Sequence, residues 1–303
     1  SRLSAIEEKC RPVACGSFVR RACASAFCTD WRPYLEEFSR GAGQFGVGVP
    51  NCIERALLDI RLRNECGEWV ISLDGRNAFN SVRHSAFIQA LPETLPGLLS
   101  YVSKVYGNTR NFLFPLDEGG TKILPSRSGV QQGDPLGPLL YFMVTHKALQ
   151  QVQSVFGPQG VSSRRYQDDT PISAREINTI IIAAFEQLKP NLQDVGINLN
   201  MGKTFAATPQ GHQPTPSELE LLSTTGINLA PNPSGFVTLG APVGTDYFNR
   251  AHMEEVIESS GTRALATHLS EIEDKKVAWL LNSWSLSSRL GYLVRVTPPL
   301  LAR

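Results

Sequence analysis

Three aspartates have the residue type and the spacing that metal-dependent chemistry needs. Asp74 follows the apolar run at residues 69–73, and Asp168 and Asp169 form a pair much later in the chain. Carboxylates that lie close together repel one another unless cations lie between them, and their oxygen atoms favour Mg²⁺ or Mn²⁺. Two such ions about 4 Å apart can activate an attacking hydroxyl group and stabilise a leaving phosphate.

The Asp pair also has a simpler interpretation. Asp is common in turns because its side chain binds nearby main-chain groups and because it tolerates unusual backbone angles. Asp168 and Asp169 alone therefore do not identify a metal site. The metal hypothesis requires elements that bring Asp74 to the same place.

The hydrophobic pattern predicts such elements, because short apolar runs indicate strands and longer ones indicate helices. In chain order these are a strand at residues 69–73, a helix at 137–156, a strand–turn–strand at 161–173, a helix from about 175 to 194 bent at Pro190, and a strand at 197–199. This order fits a split βαβ sheet with helices on one face, which sets distant strand ends side by side. Asp74 can then meet Asp168 and Asp169.

The flanking segments predict further elements. Residues 1–30 indicate a hairpin followed by a helix, and residues 41–50 form a glycine-dense loop. Asn51 and Glu54 have the spacing of a capping pair for a helix that runs to about Arg63. Residues 236–239 indicate a short strand, and the pattern is helical from about residue 249 onward.

The composition limits the number of domains and the classes of protein to consider. The chain has 303 residues with 42% hydrophobic and 19% charged, enough for one large domain or two to three small ones. A formal net charge of +1 does not by itself indicate a nucleic-acid-binding protein. No apolar run is long enough to span a bilayer and no signal peptide is evident, so we expect an intracellular protein of the nucleus or cytoplasm that has no membrane partner.

The cysteines do not indicate a metal centre. All six lie within the first 66 residues, with no C-x-x-C pair and no histidine before His84. We expect them to be small buried hydrophobic side chains in a reducing compartment.

Five segments in a fixed order resemble the motifs A to E of reverse transcriptases. They are SLDGRNAFNSV at 72–82, SGVQQGDPLGPLL at 128–140, YQDD at 166–169, GINLNMGK at 196–203 and FVTLGAPVG at 236–244. Upstream, RPVACGSFVR at 11–20 resembles the fingers motif of the same family. The runs AFNSV and QGDPLGPL are most similar to those of non-LTR, LINE-type retrotransposons. The resemblance covers most of the chain and is strongest from 70 to 245.

The resemblance implies an α+β right-hand polymerase whose palm carries a ferredoxin-like split βαβ sheet. It places the fingers at residues 1–68 and 85–127, and the palm at 69–84 and 128–248. The start of a helical thumb would take residues 249–303. Both chain ends look like cuts through a longer polypeptide, so we expect flanking domains beyond them.

The resemblance also implies roles for individual residues. Asp74 and Asp168 would bridge two Mg²⁺ ions, with Mn²⁺ as a substitute. Asp169 would support the site, and the carbonyl group of Gly75 would be a further ligand. Lys203 would protonate the leaving pyrophosphate, although a lysine in a polar loop is equally often a surface charge.

The nucleotide and the primer would contact other motif residues. The implied set comprises Asn77 and Ala78 through their N–H groups, Arg11 and Lys9 as cations of the fingers, Gln132 and Gly133 at the nascent base pair, and Leu239 and Gly240 at the primer end. Arg suits phosphate because its guanidinium group binds two oxygens at once. Simpler interpretations remain open: a solvated charge for Arg11, and the start of a helix for Gln132 and Gly133.

Phe79 carries the sharpest implication. The resemblance places it under the sugar C2′ of the incoming nucleotide, where an aromatic ring leaves no room for a 2′-hydroxyl group. The product would then be DNA, made from dNTPs on an RNA template with a DNA or RNA primer. The alternative for Phe79 itself is an ordinary core residue.

Two other functions remain open at this stage. One is a group II intron-type reverse transcriptase with a maturase role. The other is a domesticated polymerase-like module that binds RNA without catalysis, which the intact set of carboxylates does not favour.

Overall fold

A computed structural model describes residues 2–6, 11–41, 43–108, 110–116, 119–167 and 169–298. The strands are β1 (Arg2–Ile6), β2 (Arg11–Cys15), β3 (Trp69–Ser72), β4 (Arg110–Pro115), β5 (Thr121–Ser126), β6 (Ser162–Ser163), β7 (Ile172–Ala174), β8 (Phe205–Ala207), β9 (Asn228–Leu229), β10 (Gly235–Thr238) and β11 (Ala241–Gly244).

The helices lie between these strands and after the last of them. They are α1 (Phe18–Asp30), α2 (Arg32–Gly41), α3 (Cys52–Glu65), α4 (Ala78–Ser81), α5 (His84–Thr94), α6 (Leu99–Tyr106), α7 (Gly137–Phe156), α8 (Thr179–Asp194), α9 (Pro216–Thr225), α10 (Asp246–Ser259), α11 (Thr262–Glu271), α12 (Lys275–Leu281) and α13 (Ser287–Val296). In the described part of the chain, no helix combines the length and apolar character needed to cross a membrane.

The central sheet has the strand order β6-β7-β3-β8-β9. Strand β3 pairs antiparallel with both β7 and β8, and helices α7 and α8 provide the two crossovers. Strands β6, β7, β3 and β8 thus have the order of a ferredoxin-like split βαβ unit. The predicted α+β fold with a split βαβ sheet is therefore confirmed.

Strand β3 is buried on both faces, which explains its continuous apolar sequence. Ile71 packs in a large core with Phe142 of α7 and Phe185 of α8. Val70, on the opposite face, packs with α3 and with Phe236 of β10. Because successive side chains of a strand point to opposite faces, one strand anchors both layers.

A second sheet, with the order β2-β1-β4-β5, contains the N-terminal hairpin. Strands β1 and β2 pair from Ile6 and Arg11 outward, and α1 follows directly. The hairpin and helix predicted for residues 1–30 are confirmed. The helix predicted at residues 137–156 is also confirmed, with the same bounds.

Two expectations about local structure are wrong. Residues 197–199 form no strand; the strand lies at β8, whose Phe-Ala-Ala sequence lacks β-branched residues and so gave no strand signal. Asn51 makes no capping hydrogen bond through its side chain, because its backbone is left-handed, with a φ of 50°, rather than extended. Glu54 binds Arg295 of α13 instead, at 2.9 Å.

The cysteine expectation is also partly wrong. Cys23 and Cys66 are exposed, while Cys28 and Cys52 are half-buried, and all four are free thiols. Cys23 and Cys66 lie on α1 and at the end of α3, on helix surfaces that no other element covers closely enough to bury them.

The loop at Gly129 and the backbone at Asn80 lie very close together. The φ of Gly129 is +79°, and an added Cβ would lie 2.5 Å from the carbonyl oxygen of Asn80. Gly226 has a similar φ of +71° but has nothing within 4 Å of an added Cβ. We expect Gly226→Ala to lower the free energy of unfolding by about 1–2 kcal/mol, the cost of a left-handed backbone.

Gly129→Ala should cost clearly more, about 3 kcal/mol or above, because a main-chain clash adds to that strain. Urea denaturation of both variants measures the difference. Equal losses of stability in the two variants would show that the two loops do not approach as described.

Candidate active site

The turn that follows β3 is clamped from one side by residues 198–204. The amide of Asn200 donates to the carbonyl oxygen of Asp74 at 2.7 Å, and the amide of Arg76 donates to the carbonyl oxygen of Asn198 at 2.8 Å. The Asp74 amide in turn donates to the Thr204 hydroxyl at 3.4 Å. These bonds fix the backbone on either side of Gly75.

The same segment is clamped from the other side by the loop before α7. The amide of Val130 donates to the Phe79 carbonyl oxygen at 2.8 Å, and the amide of Gly129 donates to the Val82 carbonyl oxygen at 2.7 Å. His84 adds a ring nitrogen 3.0 Å from the Gly129 carbonyl oxygen, and burial lowers the pKa of this imidazole. The segment from Asp74 to Val82 therefore lies between two loops that come from distant parts of the chain.

These segments enclose a cleft of about 660 Å³, open to solvent. The residues that line it are Asp74, Gly75, Arg76, Asn77, Ala78, Phe79, Asn80, Gln132, Asn200 and Lys203. Seven of them were named from sequence, and they come from three separate motifs. The structure thus brings together residues that the sequence placed up to 129 positions apart.

Asp169 belongs to a tight hairpin at the edge of β7. Its amide donates to the carbonyl oxygen of Tyr166 at 3.0 Å, and the Tyr166 amide donates back at 2.9 Å. In the β3–β7 pairing Ile71 lies opposite Ile172, so Asp74, which follows β3, and Asp169, which precedes β7, lie toward the same end of two neighbouring strands. Asp168 lies outside the described residues.

The hairpin turn rests on the glycine-rich loop after α2. Phe45 donates to the Arg165 carbonyl oxygen at 2.8 Å, and the Arg165 amide donates to the Gly43 carbonyl oxygen at 3.1 Å. A Cβ on Gly46 would lie 2.8 Å from the amide nitrogen of Gln167, so only glycine fits there. The sequence showed a glycine-dense loop but gave no sign that it supports the Asp pair.

Three turns of the site have a left-handed backbone at a residue other than glycine. The φ angles are 45° at Asn77, 53° at Gln167 and 52° at Leu239, and among the described residues only Asn51 shares this property. Such conformations are uncommon and tend to occur at functional sites. They lie in the turn after β3, in the Asp hairpin and in the β10–β11 turn.

The residues present suit a divalent cation of the hard class. Asp74 is half-buried at the wall of the cleft, and its neighbours there offer amide and carbonyl oxygens rather than sulfur or imidazole. Mg²⁺ and Mn²⁺ prefer such oxygen ligands. No group of three His, Cys, Asp or Glu side chains close enough to hold a metal occurs within the described ranges, which leave out Asp168.

A buried ion pair holds the loop that carries Gln132. The Asp134 carboxylate binds Arg20 of α1 at 2.6 Å, accepts from the Tyr106 hydroxyl at 2.7 Å and accepts from the Leu136 amide at 3.0 Å. Burial and the neighbouring Asp134 carboxylate raise the pKa of Tyr106. The side chains of Arg20 and Asp134 are only 12% and 4% exposed, so the pair is shielded from water. This network links the N-terminal helix to the cleft.

Gln132 and Gly133 differ in their relation to the cleft. Gln132 is half-buried and lines it, whereas Gly133 is exposed and does not. Gly133 has a φ of 100°, which permits the tight turn before Asp134. Neither residue lies in α7, which begins at Gly137.

Lys203 and Leu239 lie at two further points of the site. Lys203 is exposed and lines the cleft, and its amide donates to the Asn200 carbonyl oxygen at 2.9 Å. Leu239 and Gly240 form the turn between β10 and β11, away from the lining of the cleft. The hydroxyl of Tyr292 on α13 donates to the Leu239 carbonyl oxygen at 2.5 Å.

Of the two cationic residues predicted to contact the triphosphate from the fingers, the structure describes only one. Arg11 begins β2, where its backbone pairs with that of Ile6, and Lys9 lies outside the described residues. The structure adds three cleft residues that the sequence analysis missed, which are Arg76, Asn80 and Asn200. Arg76 and Asn80 lie within the segment SLDGRNAFNSV at 72–82 and Asn200 lies within GINLNMGK at 196–203, so these motif segments were the signal available.

Comparison with known proteins places this architecture among polymerases. The model for the family "Reverse transcriptase (RNA-dependent DNA polymerase)" matches residues 7–242. A Pol polyprotein from a type-1 R2 retrotransposable element of Nasonia vitripennis is 30% identical over 155 residues, which is 48% of this chain and 15% of that protein. The SLACS retrotransposable element 132 kDa protein of Trypanosoma brucei gambiense is 32% identical over 191 residues, or 62% of this chain and 14% of that protein.

Solved structures share the fold at low sequence identity. Telomerase from Candida albicans, determined with a fragment of telomeric RNA, is 10% identical with a TM-score of 0.53, covering 90% of this chain and 46% of the telomerase chain. Apo telomerase from Candida tropicalis is 11% identical, also with a TM-score of 0.53, covering 93% of this chain and 55% of that one.

The buried ion pair generates a prediction about stability. Asp134→Ala removes the partner of Arg20 and leaves a buried guanidinium group unpaired, so we expect the free energy of unfolding to fall by about 3–5 kcal/mol. Tyr106→Phe removes one hydrogen bond from the same carboxylate and should cost about 1–2 kcal/mol. Urea denaturation measures both losses. If Asp134→Ala proves no more harmful than Tyr106→Phe, the ion pair does not link α1 to the cleft.

Proposed function

The chain belongs to the reverse transcriptase family, and on this premise we propose that it is an RNA-directed DNA polymerase that extends a primer 3′-hydroxyl group with dNTPs. The observation that carries the proposal is the cleft. It unites an ionisable carboxylate at Asp74, an aromatic wall at Phe79, an amide at Gln132 and a cation at Lys203. In this arrangement the carboxylate can bind metal, the cation can bind phosphate, and the aromatic ring and the amide can contact the sugar and the base of a nucleotide.

Two divalent ions would be held by the carboxylates of Asp74, Asp168 and Asp169 and by the carbonyl group of Gly75. Mg²⁺ is the expected ion, and Mn²⁺ offers the same preference for oxygen ligands. When bound, the ions supply a lowered pKa for the attacking hydroxyl and charge stabilisation for the leaving pyrophosphate. The half-buried position of Asp74 at the cleft wall supports this assignment.

The triphosphate would lie along the turn after β3. Asn77 and Ala78 stand at the start of α4, where N–H groups have no acceptor within the helix, and both line the cleft. Arg76 adds a cation there, beside those proposed for Arg11 and Lys9 on the fingers. Backbone donors and guanidinium groups are suited to phosphate oxygens.

Lys203 is proposed as the proton donor to the pyrophosphate. It is exposed and lines the same cleft as Asp74, so a bound triphosphate can lie between them. Its loop also holds Asp74 in place through the Asn200 amide. A general acid must lie within hydrogen-bond reach of its target. The loop that it shares with Asn200 holds the backbone of Lys203 in a fixed position relative to Asp74.

Base-pair and primer contacts complete the proposal. Gln132 lines the cleft and Gly133 follows it in the turn, where both can border the nascent base pair and the sugar. Leu239 and Gly240, in the turn that Tyr292 anchors, would contact the primer end. Residues 1–68 and 85–127 would act as fingers, 69–84 and 128–248 as palm, and 249–303 as the start of a thumb.

The chain spans about a seventh of the length of the curated relatives that it matches. We therefore propose that it works within a non-LTR retrotransposon polyprotein whose other domains flank it, inside the nucleus or cytoplasm. The relatives favour this origin over a group II intron protein. RNA template, DNA or RNA primer and dNTPs are its proposed partners.

The metal-binding role of Asp74 has a direct test. Asp74→Asn removes the charge but keeps the shape, and we expect Mg²⁺-dependent dTTP incorporation on poly-rA/oligo-dT to fall roughly 10³-fold, about 4 kcal/mol in the barrier. Asp194→Asn, at the end of α8 and outside the cleft lining, is the matched control and should keep full activity. Incorporation that survives Asp74→Asn would refute the assignment, and a wild-type chain that binds RNA without incorporation would favour the non-catalytic alternative.

Phe79 has a separate test of sugar selection. Phe79→Val shortens the side chain at the cleft wall, and we expect the ratio of rNTP to dNTP incorporation to rise because a 2′-hydroxyl then fits. Phe205→Val shortens another half-buried phenylalanine, on β8, and should leave the ratio unchanged. Single-nucleotide extension measures the ratio. Discrimination that stays the same in Phe79→Val would contradict the steric role.

A further inference from the structure

The Phe79 ring does not stand alone at the cleft wall, because it stacks on the ring of Tyr141. The two ring centroids are 4.4 Å apart, and the ring planes are inclined by 24°. Phe79 is half-buried and lines the cleft, whereas Tyr141 is only 3% exposed and lies in the core beneath it. Tyr141 therefore backs the aromatic wall from inside the protein.

The backbone hydrogen bonds described above do not fix the Phe79 ring. The Val130 amide holds the Phe79 carbonyl oxygen at 2.8 Å, but the side chain still rotates about its Cα–Cβ bond. A ring at the edge of an open cleft has solvent on one side, so a rigid neighbour on its core-facing side limits this rotation. Tyr141 is that neighbour.

Tyr141 is itself held firmly. It lies in the first turns of α7, between Leu140 and Phe142, which are both fully buried. Arg165 is buried in the segment after β6; burial lowers the pKa of its guanidinium group, and the nearby Tyr141 hydroxyl offsets part of that change. The backing ring therefore lies on a fully buried stretch of α7, with the buried Arg165 close to its hydroxyl.

We propose that Tyr141 is a specificity-determining positioning residue that holds the Phe79 ring in the space a ribose 2′-hydroxyl group would occupy. The inference rests on the proposed function, and in particular on the steric role of Phe79. It adds that the discrimination depends on a stacked pair rather than on one side chain. Stacked aromatic pairs contribute stabilisation beyond the apolar area that they bury, and this contribution favours the rotamer in which the rings stack.

The first variant removes the backing ring. In Tyr141→Leu, the Phe79 ring gains room to turn away from the nucleotide, and we expect the rNTP to dNTP efficiency ratio to rise roughly three- to tenfold in single-nucleotide extension. Tyr141→Phe keeps the ring and should leave the ratio as in the wild type. Tyr141→Met fills more of the space left by the tyrosine ring than leucine does, also without an aromatic ring. It provides the same test if Tyr141→Leu folds poorly.

The matched control is Phe142→Leu, on the next residue of the same helix. Phe142 is fully buried and packs against Phe38 and His146 rather than against Phe79. Its truncation should lower stability by a similar amount but leave sugar discrimination unchanged. An equal rise of the ratio in Phe142→Leu would mean general loosening of the core and would overturn the inference.

The outcomes separate this inference from the function on which it rests. If Phe79→Val raises the ratio and Tyr141→Leu does not, the stacked pair is refuted while the steric role of Phe79 stands. If Phe79→Val leaves the ratio unchanged, both fail. If both single variants raise the ratio, the double variant should exceed Phe79→Val by little, because the two rings act through one contact; full additivity would contradict the proposal.

Discussion

Main-chain hydrogen bonds from two loops hold the turn that follows β3, and every proposed role in the cleft depends on that turn. Asn200 binds it from the segment after α8, and Val130 binds it from the segment before α7. Hydrogen bonds between backbone groups place the chain without using side chains, which leaves the carboxylate of Asp74 and the ring of Phe79 facing the cleft. If either loop moved, the carboxylate and the aromatic wall would move with it.

The buried Asp134 carboxylate extends this dependence to the N-terminal region. It accepts hydrogen bonds from Arg20, Tyr106 and Leu136, so α1, α6 and the loop of Gln132 meet at one group. A buried ion pair adds little net stability compared with apolar residues of the same shape, because both charges lose their hydration. Its contribution here is geometric, since a misplaced partner would leave a charge unpaired in the core.

Sequence patterns predicted the parts of the fold in which burial dominates. The apolar run at residues 69–73 and the helix at 137–156 follow directly from hydrophobic spacing, and the order of the motifs indicated which strands would be neighbours. Most of the cleft lining was named from the resemblance of the motif segments to those of reverse transcriptases. Features that depend on backbone conformation or on contacts between distant segments could not be predicted from the sequence. The left-handed Asn51 and the weakly patterned β8 are examples of the first kind.

Contacts between distant segments were equally hidden. Tyr141 belongs to a continuous apolar run, and nothing in that run distinguishes it from its neighbours until the structure stacks it on Phe79. Gly46 lies among other glycines, and nothing in the sequence marks it as the one whose Cβ position lies against the Gln167 backbone. Asn200 is one of several polar residues in its loop, and only its amide bond to Asp74 reveals its place in the site.

The central claim is that this cleft holds divalent metal ions together with a nucleotide. Electron paramagnetic resonance of Mn²⁺ tests it most directly, with a template–primer that ends in a dideoxynucleotide so that the complex forms without reaction. Our account predicts two bound Mn²⁺ ions per chain when the matching dNTP is present, and a loss of tight binding in Asp74→Asn. Mn²⁺ binding that does not respond to the dNTP, or that Asp74→Asn leaves intact, would contradict it.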